Sequence, residues 1–349
     1  MTRRLTLALL AIAVAGPAWA ADGPARYLGK PDAWFASDEG KRVADNVLSY
    51  QADAGGWPKN IDTTARAYTG ERKDLKATFD NAATTDEIRL LARAFAATDD
   101  DRYRGAVERG VDYILKAQYP NGGWPQFHPP PTTYHRHITL NDGAMVRLMR
   151  LCRELAEVDR YRFLGDDRRK AARAAFDKGV DCLLKCQIKV DDKLTVWCAQ
   201  HDESDFRPRP GRTYELVSLS GAESVGVVAL LMSLDKPSVE VVKSVGGAVA
   251  WFEAARLTGI RQTVVDDPKG PRGRNKVIVA DPVAPPLWAR FYEIGTNKPL
   301  FADRDGVAKY ALADIGYERR NGYAWYGSWP AKLLADDYPA WKRRVGGGK

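Results

Sequence analysis

Gly110-Val-Asp-Tyr-Ile-Leu-Lys-Ala-Gln118 is written again as Gly179-Val-Asp-Cys-Leu-Leu-Lys-Cys-Gln187, and in worn form as Val43-Ala-Asp-Asn-Val-Leu-Ser-Tyr-Gln51. Asp45, Asp112 and Asp181 fall in register, 67 and 69 residues apart. Two copies run straight into Gly-Gly-Trp-Pro, at Gly55–Pro58 and Gly122–Pro125. A fixed period of this length means one supersecondary unit stacked several times. Val111, Ile114 and Leu115, and again Val180, Leu183 and Leu184, have helical spacing.

Each such helix has a partner that also recurs. Thr84-Thr-Asp-Glu-Ile, Asn141-Asp-Gly-Ala-Met and Ser220-Gly-Ala-Glu-Ser each place polar residues before an apolar periodic run. The third partner is weaker, from Val245 to Leu257. The order is helix, short turn, helix, long loop, three times over. The turns are Asp99–Asp101 and Leu164–Arg168. The loops are Ala52–Thr78, Tyr119–Thr139 and Ile188–Leu219. Loops this long are usually functional. Because all three follow the second helix of a pair, an α/α toroid would gather them on one face. Arg261–Pro286 reads as a separate excursion, and the segment from Trp288 onward as an aromatic, basic closure over that face.

Residues 1–20 carry Arg3 and Arg4, an apolar stretch from Leu5 to Ala15 and Ala18-Trp19-Ala20. That is a secretory leader, too short for a membrane span, with cleavage expected after Ala20. Residues 21–349 then form one catalytic domain, with a toroid over about 35–260 and a closing segment over about 261–340. Removing two arginines takes the net charge from +8 to +6. A basic exported protein whose sequence holds ten tryptophans, all but Trp19 beyond the leader, suits a polyanionic partner in the periplasm or outside the cell. Export permits disulfides, and Cys186 with Cys198 is the first pairing to expect among Cys152, Cys182, Cys186 and Cys198. No CxxC or HxxxH spacing suggests zinc, and no serine sits in a nucleophile elbow.

The chemistry lies in the loops. Thr78-Phe-Asp80-Asn81 and His137-Ile-Thr-Leu-Asn141-Asp142 put an Asp/Asn pair before successive helices. Helix capping is the plain reading. Two carboxylates at one rim, joined by an acidic substrate, could instead supply the oxygen ligands that calcium needs. The third loop replaces this pair with Ser220 and Gly221 and carries Arg207-Pro-Arg-Pro-Gly-Arg212-Thr-Tyr-Glu215. Arginines stiffened by prolines suit carboxylate recognition.

Gly-Gly-Trp-Pro-Lys59-Asn60, Thr78-Phe-Asp-Asn-Ala-Ala-Thr-Thr85, Ala117-Gln-Tyr-Pro-Asn-Gly-Gly-Trp-Pro-Gln126, His137-Ile-Thr-Leu-Asn-Asp-Gly-Ala-Met145, Trp197-Cys-Ala-Gln-His-Asp202, Arg212-x-Tyr-Glu, Ser218-Leu-Ser-Gly-Ala-Glu-Ser224 and Arg319-Arg-x-Gly-Tyr-Ala-Trp-Tyr326 together resemble the polysaccharide lyase family 10 pectate lyases. The likeness runs from about residue 35 to 335. Ala82 departs from an expected glycine, and Thr213 from a small residue such as alanine. The resemblance implies an all-α fold, an (α/α)3 toroid of three helix pairs with long loops and short β segments on one face. It implies action on polygalacturonate by calcium-assisted β-elimination, and a monomer is expected. Arg212 would be the base that takes the C5 proton, made less basic by neighbouring cations. Asp80 and Asp142 would hold calcium. Lys59, Arg136, Arg304 and Arg319 become candidates for binding substrate carboxylates, and Trp57, Trp124 and Tyr323 for stacking on sugar faces.

Three alternatives remain at this stage. The Gln51/Trp57 and Gln118/Trp124 spacing is shared with terpene-cyclase barrels, but their acidic motifs are missing. A uronate hydrolase could recruit carboxyls from Asp80, Asp142, Asp202 or Glu215. A uronate-binding module would use the same face without turnover.

Overall fold

The last carbonyls of a helix have no partner inside it, and here a recurring tryptophan meets them. The computed structural model describes residues 23–346, so the leader at 1–20 lies outside the described residues. The repeat is carried by α1 (Asp32–Ala36), α2 (Asp38–Ser49), α3 (Thr85–Thr98), α4 (Asp101–Ala117), α5 (Ala144–Glu157), α6 (Gly165–Cys186), α7 (Glu223–Met232) and α8 (Val239–Ala254). α3 packs on α4, α5 on α6 and α7 on α8, which are the three expected pairs. A short fourth pair, α1 with α2, stacks at the start of the array, and α2 is the worn copy of the repeat. α1, α3, α5 and α7 form an inner row, with α2, α4, α6 and α8 as an outer row behind it. This is the α/α toroid layout.

Trp57 Nε1 donates to the Val47 carbonyl in the last turn of α2 at 2.8 Å. Trp124 does the same to Ile114 in α4 at 3.0 Å, Trp197 to Leu183 in α6 at 2.7 Å and Trp288 to Phe252 in α8 at 2.8 Å. Each tryptophan folds a loop back onto the helix it has just left. A glutamine just past the end of α2, α4 and α6 reaches the next outer helix. Gln51 Nε2 donates to Gly55 O and to Ala106 O in α4, Gln118 to Gly122 O and Ala175 O in α6, and Gln187 to Thr195 O and Ser244 O in α8. The repeat aspartates brace the outer surface. Asp45 accepts from the Tyr103 hydroxyl and Asp112 from Arg168, both reaching to the following outer helix.

The loops gather at one end, where short antiparallel pairs lock them. Ile138–Thr139 pairs with Gln200–His201, which pairs with Pro208–Arg209. Leu219–Ser220 pairs with Phe291–Tyr292, and Trp288–Ala289 with Tyr326–Gly327. A second apolar cluster that includes Tyr214, Phe291, Phe301 and Trp325 fills the space between third loop and closing segment. The excursion is a hairpin of Ile260–Asp266 and Arg274–Ala280. α9 (Tyr317–Gly322) and α10 (Tyr338–Gly346) complete the chain. Among the described residues no helix is long and apolar enough to cross a membrane.

Two details differ from expectation. The second short turn is the 3₁₀ segment Asp159–Leu164. Gly165 opens α6, with Asp166 and Asp167 in its first turn, where acids suit the positive end of the helix dipole. All four cysteines are free and buried. Cys198 Sγ lies 3.5 Å from the Arg209 carbonyl, while Cys186 neighbours Cys182 one turn away on α6, so the pair Cys186/Cys198 does not form.

Gln118→Leu removes both donations of that side chain. Urea unfolding should show a loss of about 2 kcal/mol with an unchanged slope; an unchanged midpoint would refute the stapling role.

Candidate active site

Asp80–Ala82 and Asn141–Gly143 are single 3₁₀ turns in the same place in successive repeats, and they touch. Their backbones match residue for residue. Asn81 (φ 52°, ψ 37°) corresponds to Asp142 (φ 50°, ψ 22°), and Ala82 (φ 67°) to Gly143 (φ 73°). The two carboxylates are therefore offset by one position, since Asp80 stands where the next repeat has Asn141. Ala82 holds a left-handed conformation that costs a Cβ-bearing residue about 1 kcal/mol. Neither aspartate caps a helix: the N-caps of α3 and α5 are Thr84 and Gly143. Thr84 Oγ1 instead accepts from Trp57 N and donates to Thr78 O, tying the first loop together.

Each rim carboxylate meets a protein cation. Lys59 pairs with Asp80 Oδ2, while Asp80 Oδ1 is buried with no hydrogen-bond partner among the described residues. Asp142 Oδ1 lies 3.2 Å from Arg290 Nη2, and its Oδ2 accepts from Asn141 Nδ2 at 2.6 Å. Asn141 Oδ1 is also buried and unpartnered. Spare oxygens on Asp80 and Asn141, beside the half-exposed Asp142, are the donor type that suits a hard cation.

Arg290 is a site residue that the motifs did not single out. It pairs with buried Glu223 as well as Asp142, and its guanidinium lies 4.9 Å from the Tyr323 ring centre. Burial opposes its charge; Glu223 and Asp142 outweigh that and hold it firmly protonated. Gly221 makes the approach possible, because a side chain there would run into the Ala289 carbonyl. The signal was an arginine among the aromatics of Trp288–Tyr292, without a repeat partner to mark it.

Arg212 lies 4.9 Å from the Tyr214 ring centre and 5.6 Å from that of Tyr323. Its Nη2 donates to Glu215 Oε1 at 2.5 Å. Burial opposes the charge, but Glu215 outweighs it, so the guanidinium pKa is raised. The lowering expected from crowded cations is absent, because the dominant neighbour is an anion. Tyr134 and His135 stand close enough to Arg212 and Asp80 to feel both charges. Asp80, Asp142, Arg212, Arg290, Lys59 and Tyr323 thus share one rim.

Residues 51–334 match the family model described as pectic acid lyase. The chain belongs to that family. Its structure is similar to an aspartate-to-alanine variant of the family 10 polysaccharide lyase from Cellvibrio cellulosa in complex with trigalacturonic acid. The identity is 34%, the match covers 90% of this chain and 96% of that one, and the TM-score is 0.77. The family 10 polysaccharide lyase from the same organism matches at 34% identity, 93% and 96% coverage and a TM-score of 0.76. No curated protein matches. The protein is a polysaccharide lyase.

The remaining candidate residues of the lyase have partners of their own. Trp57 and Trp124 are fully buried, with their indole N–H groups spent on helix carbonyls, so no sugar can stack on them. The Tyr323 ring is enclosed by Arg212, Arg290, Tyr214, Phe291 and Trp325, and spaces two cations. Arg136 is exposed and paired with Glu203, which also accepts from His137. Arg304 and Arg319 share Glu318, and Arg319 is packed over Tyr214. His201 is structural: it is buried and pushed down to about 4 by burial, and its ring nitrogens bond Cys198 N and Phe206 O. The ligand atoms of His137, Asp202 and Glu203 lie within 4.8 Å of one another, but Arg209 and Arg136 already neutralise the two acids.

Glu87, in the first turn of α3, is wholly buried and pushed up to about 8 by burial and then by Asp86. The folded state binds its proton more tightly than the unfolded chain, so stability falls as pH rises from about 4.5 to 8. Glu87→Gln should match wild type at pH 4 and melt several degrees higher at pH 9; equal melting temperatures at pH 9 would contradict this.

Proposed function

We propose that the lyase is exported and cleaves polygalacturonate by calcium-assisted β-elimination, leaving 4,5-unsaturated uronate ends, with Arg212 as the base. The observation that carries this reading is the gathering of Arg212, Arg290 and Lys59 with Asp80 and Asp142 at one rim. The relative's complex with trigalacturonic acid supports the substrate class. The leader pattern supports export, to the periplasm or beyond.

The C5 proton lies α to a carboxylate and is weakly acidic. Arg212 in its neutral form takes that proton. The C5–H electron pair becomes the C4–C5 double bond, and the C4–O4 bond breaks. The departing alkoxide takes a proton from water. Lys59 and Arg290 offset negative charge that grows on the substrate carboxylate. Asp80 and Asp142 would hold the calcium ion, which would supply further positive charge to offset the developing carbanion.

The hydrolase alternative is weaker. It needs a carboxylic acid held protonated beside the sugar. Of the carboxyls open to that role, Asp202 and Glu215 are held ionised by Arg209 and Arg212 despite burial, and Asp80 and Asp142 are paired with Lys59 and Arg290.

The test is the ultraviolet absorbance of unsaturated product from polygalacturonate at alkaline pH. It should rise with calcium and vanish with chelator. Arg212→Ala should lower kcat by at least about a thousandfold, the range of a lost base. Asp80→Asn and Asp142→Asn should raise the calcium needed for half-maximal rate. New reducing ends without that absorbance would make the protein a hydrolase; binding without either would make it a carbohydrate-binding module.

A further inference from the structure

This inference deepens the preceding reading and rests on it. Arg212 can accept the C5 proton only after it has lost its own. The structure shows what holds that proton in place. Glu215 is almost fully buried, and its Oε1 accepts both from Arg212 Nη2 at 2.5 Å and from the Tyr323 hydroxyl at 2.7 Å. Its Oε2 accepts from the Arg212 backbone N–H at 3.0 Å. Two main-chain bonds close the loop around it: Glu215 N to Arg212 O at 2.7 Å, and Gly211 N to Glu215 O at 2.9 Å. A side chain at Gly211 would strike Oε2. The loop is therefore built around the carboxylate that faces the guanidinium.

We propose that Glu215 is a positioning residue that parks Arg212 in its protonated form, and that Tyr323, by sharing the same carboxylate oxygen, loosens that hold. The groups facing Arg212 are Glu215 and Tyr214 on its own loop, Tyr323 beyond α9, Arg319 on α9, and Tyr134 and His135 on the second loop. Of these, Glu215 carries the negative charge at neutral pH. Arg290 faces Glu215 from the closing segment. As pH rises, Arg212 releases its proton to water, and the neutral side chain then takes the C5 proton. Removing the Glu215 charge makes that release easier. Removing the Tyr323 hydroxyl returns charge to Oε1 and makes it harder.

The two variants therefore act in opposite directions. kcat would be followed against pH with saturating polygalacturonate and calcium for wild type, Glu215→Gln and Tyr323→Phe. The midpoint of the alkaline rise should fall by about one pH unit or more in Glu215→Gln and rise in Tyr323→Phe. Unmoved midpoints, or two shifts of the same sign, overturn the proposal whatever happens to the maximal rate. Should Glu215→Gln not fold, Tyr323→Phe decides alone: an upward shift supports the proposal and an unmoved midpoint overturns it. Arg212→Ala in the same series separates the two levels. If it keeps the wild-type rate, the base assignment falls and the parking role with it. If it is inactive while the other midpoints stay fixed, only the role of Glu215 falls.

Discussion

A buried main-chain carbonyl must find a donor, and in this lyase that requirement organises the molecule. Four tryptophans supply the donor at the frayed end of each outer helix, and three glutamines carry the chain of bonds to the next outer helix. The same residues fix where each long loop begins and how it turns. Because the loops all leave outer helices and enter inner ones, stapling them also stacks their tips. The Asp80 and Asn141 turns touch for that reason.

At the rim the resting protein keeps its charges in pairs. Lys59 sits on Asp80, Arg290 on Asp142 and Glu223, and Arg212 on Glu215. Such pairing holds side chains in place before a polyanion arrives, and it leaves the site near neutral. On the proposed mechanism a uronate carboxylate would offer the cations a new partner and a divalent cation would do the same for the acids, so that an exchange of partners sets up the chemistry. On that same mechanism the arginine paired to the most deeply buried acid of the loop, Arg212, is also the one that gives up a proton.

Helix pairs were legible because the repeat spells them out, and loop positions followed from the order of the elements. The rim carboxylates were legible as residues but not in register. Asp80-Asn81 and Asn141-Asp142 look equivalent as pairs, and only the left-handed backbone at Asn81 and Asp142 reveals the offset. Trp57 and Trp124 were candidate sugar platforms through the family resemblance. Sequence does not show that their N–H groups are already committed to helix carbonyls. Arg290 lay beyond the repeat, on a two-residue strand pair made with a distant loop, so no periodicity pointed to it. The charge around Arg212 depended on Glu215, three residues away, folding back onto it within a closed loop.

Calcium titration of Arg212→Ala, followed calorimetrically with and without trigalacturonate, tests the partner exchange most directly. With Asp80 and Asp142 already paired to Lys59 and Arg290, calcium alone should bind weakly. With the oligouronate present it should bind at least about tenfold more tightly, and by linkage the oligouronate should gain the same factor from calcium. Equal calcium affinity in the two conditions would contradict a site assembled jointly by the rim carboxylates and the substrate.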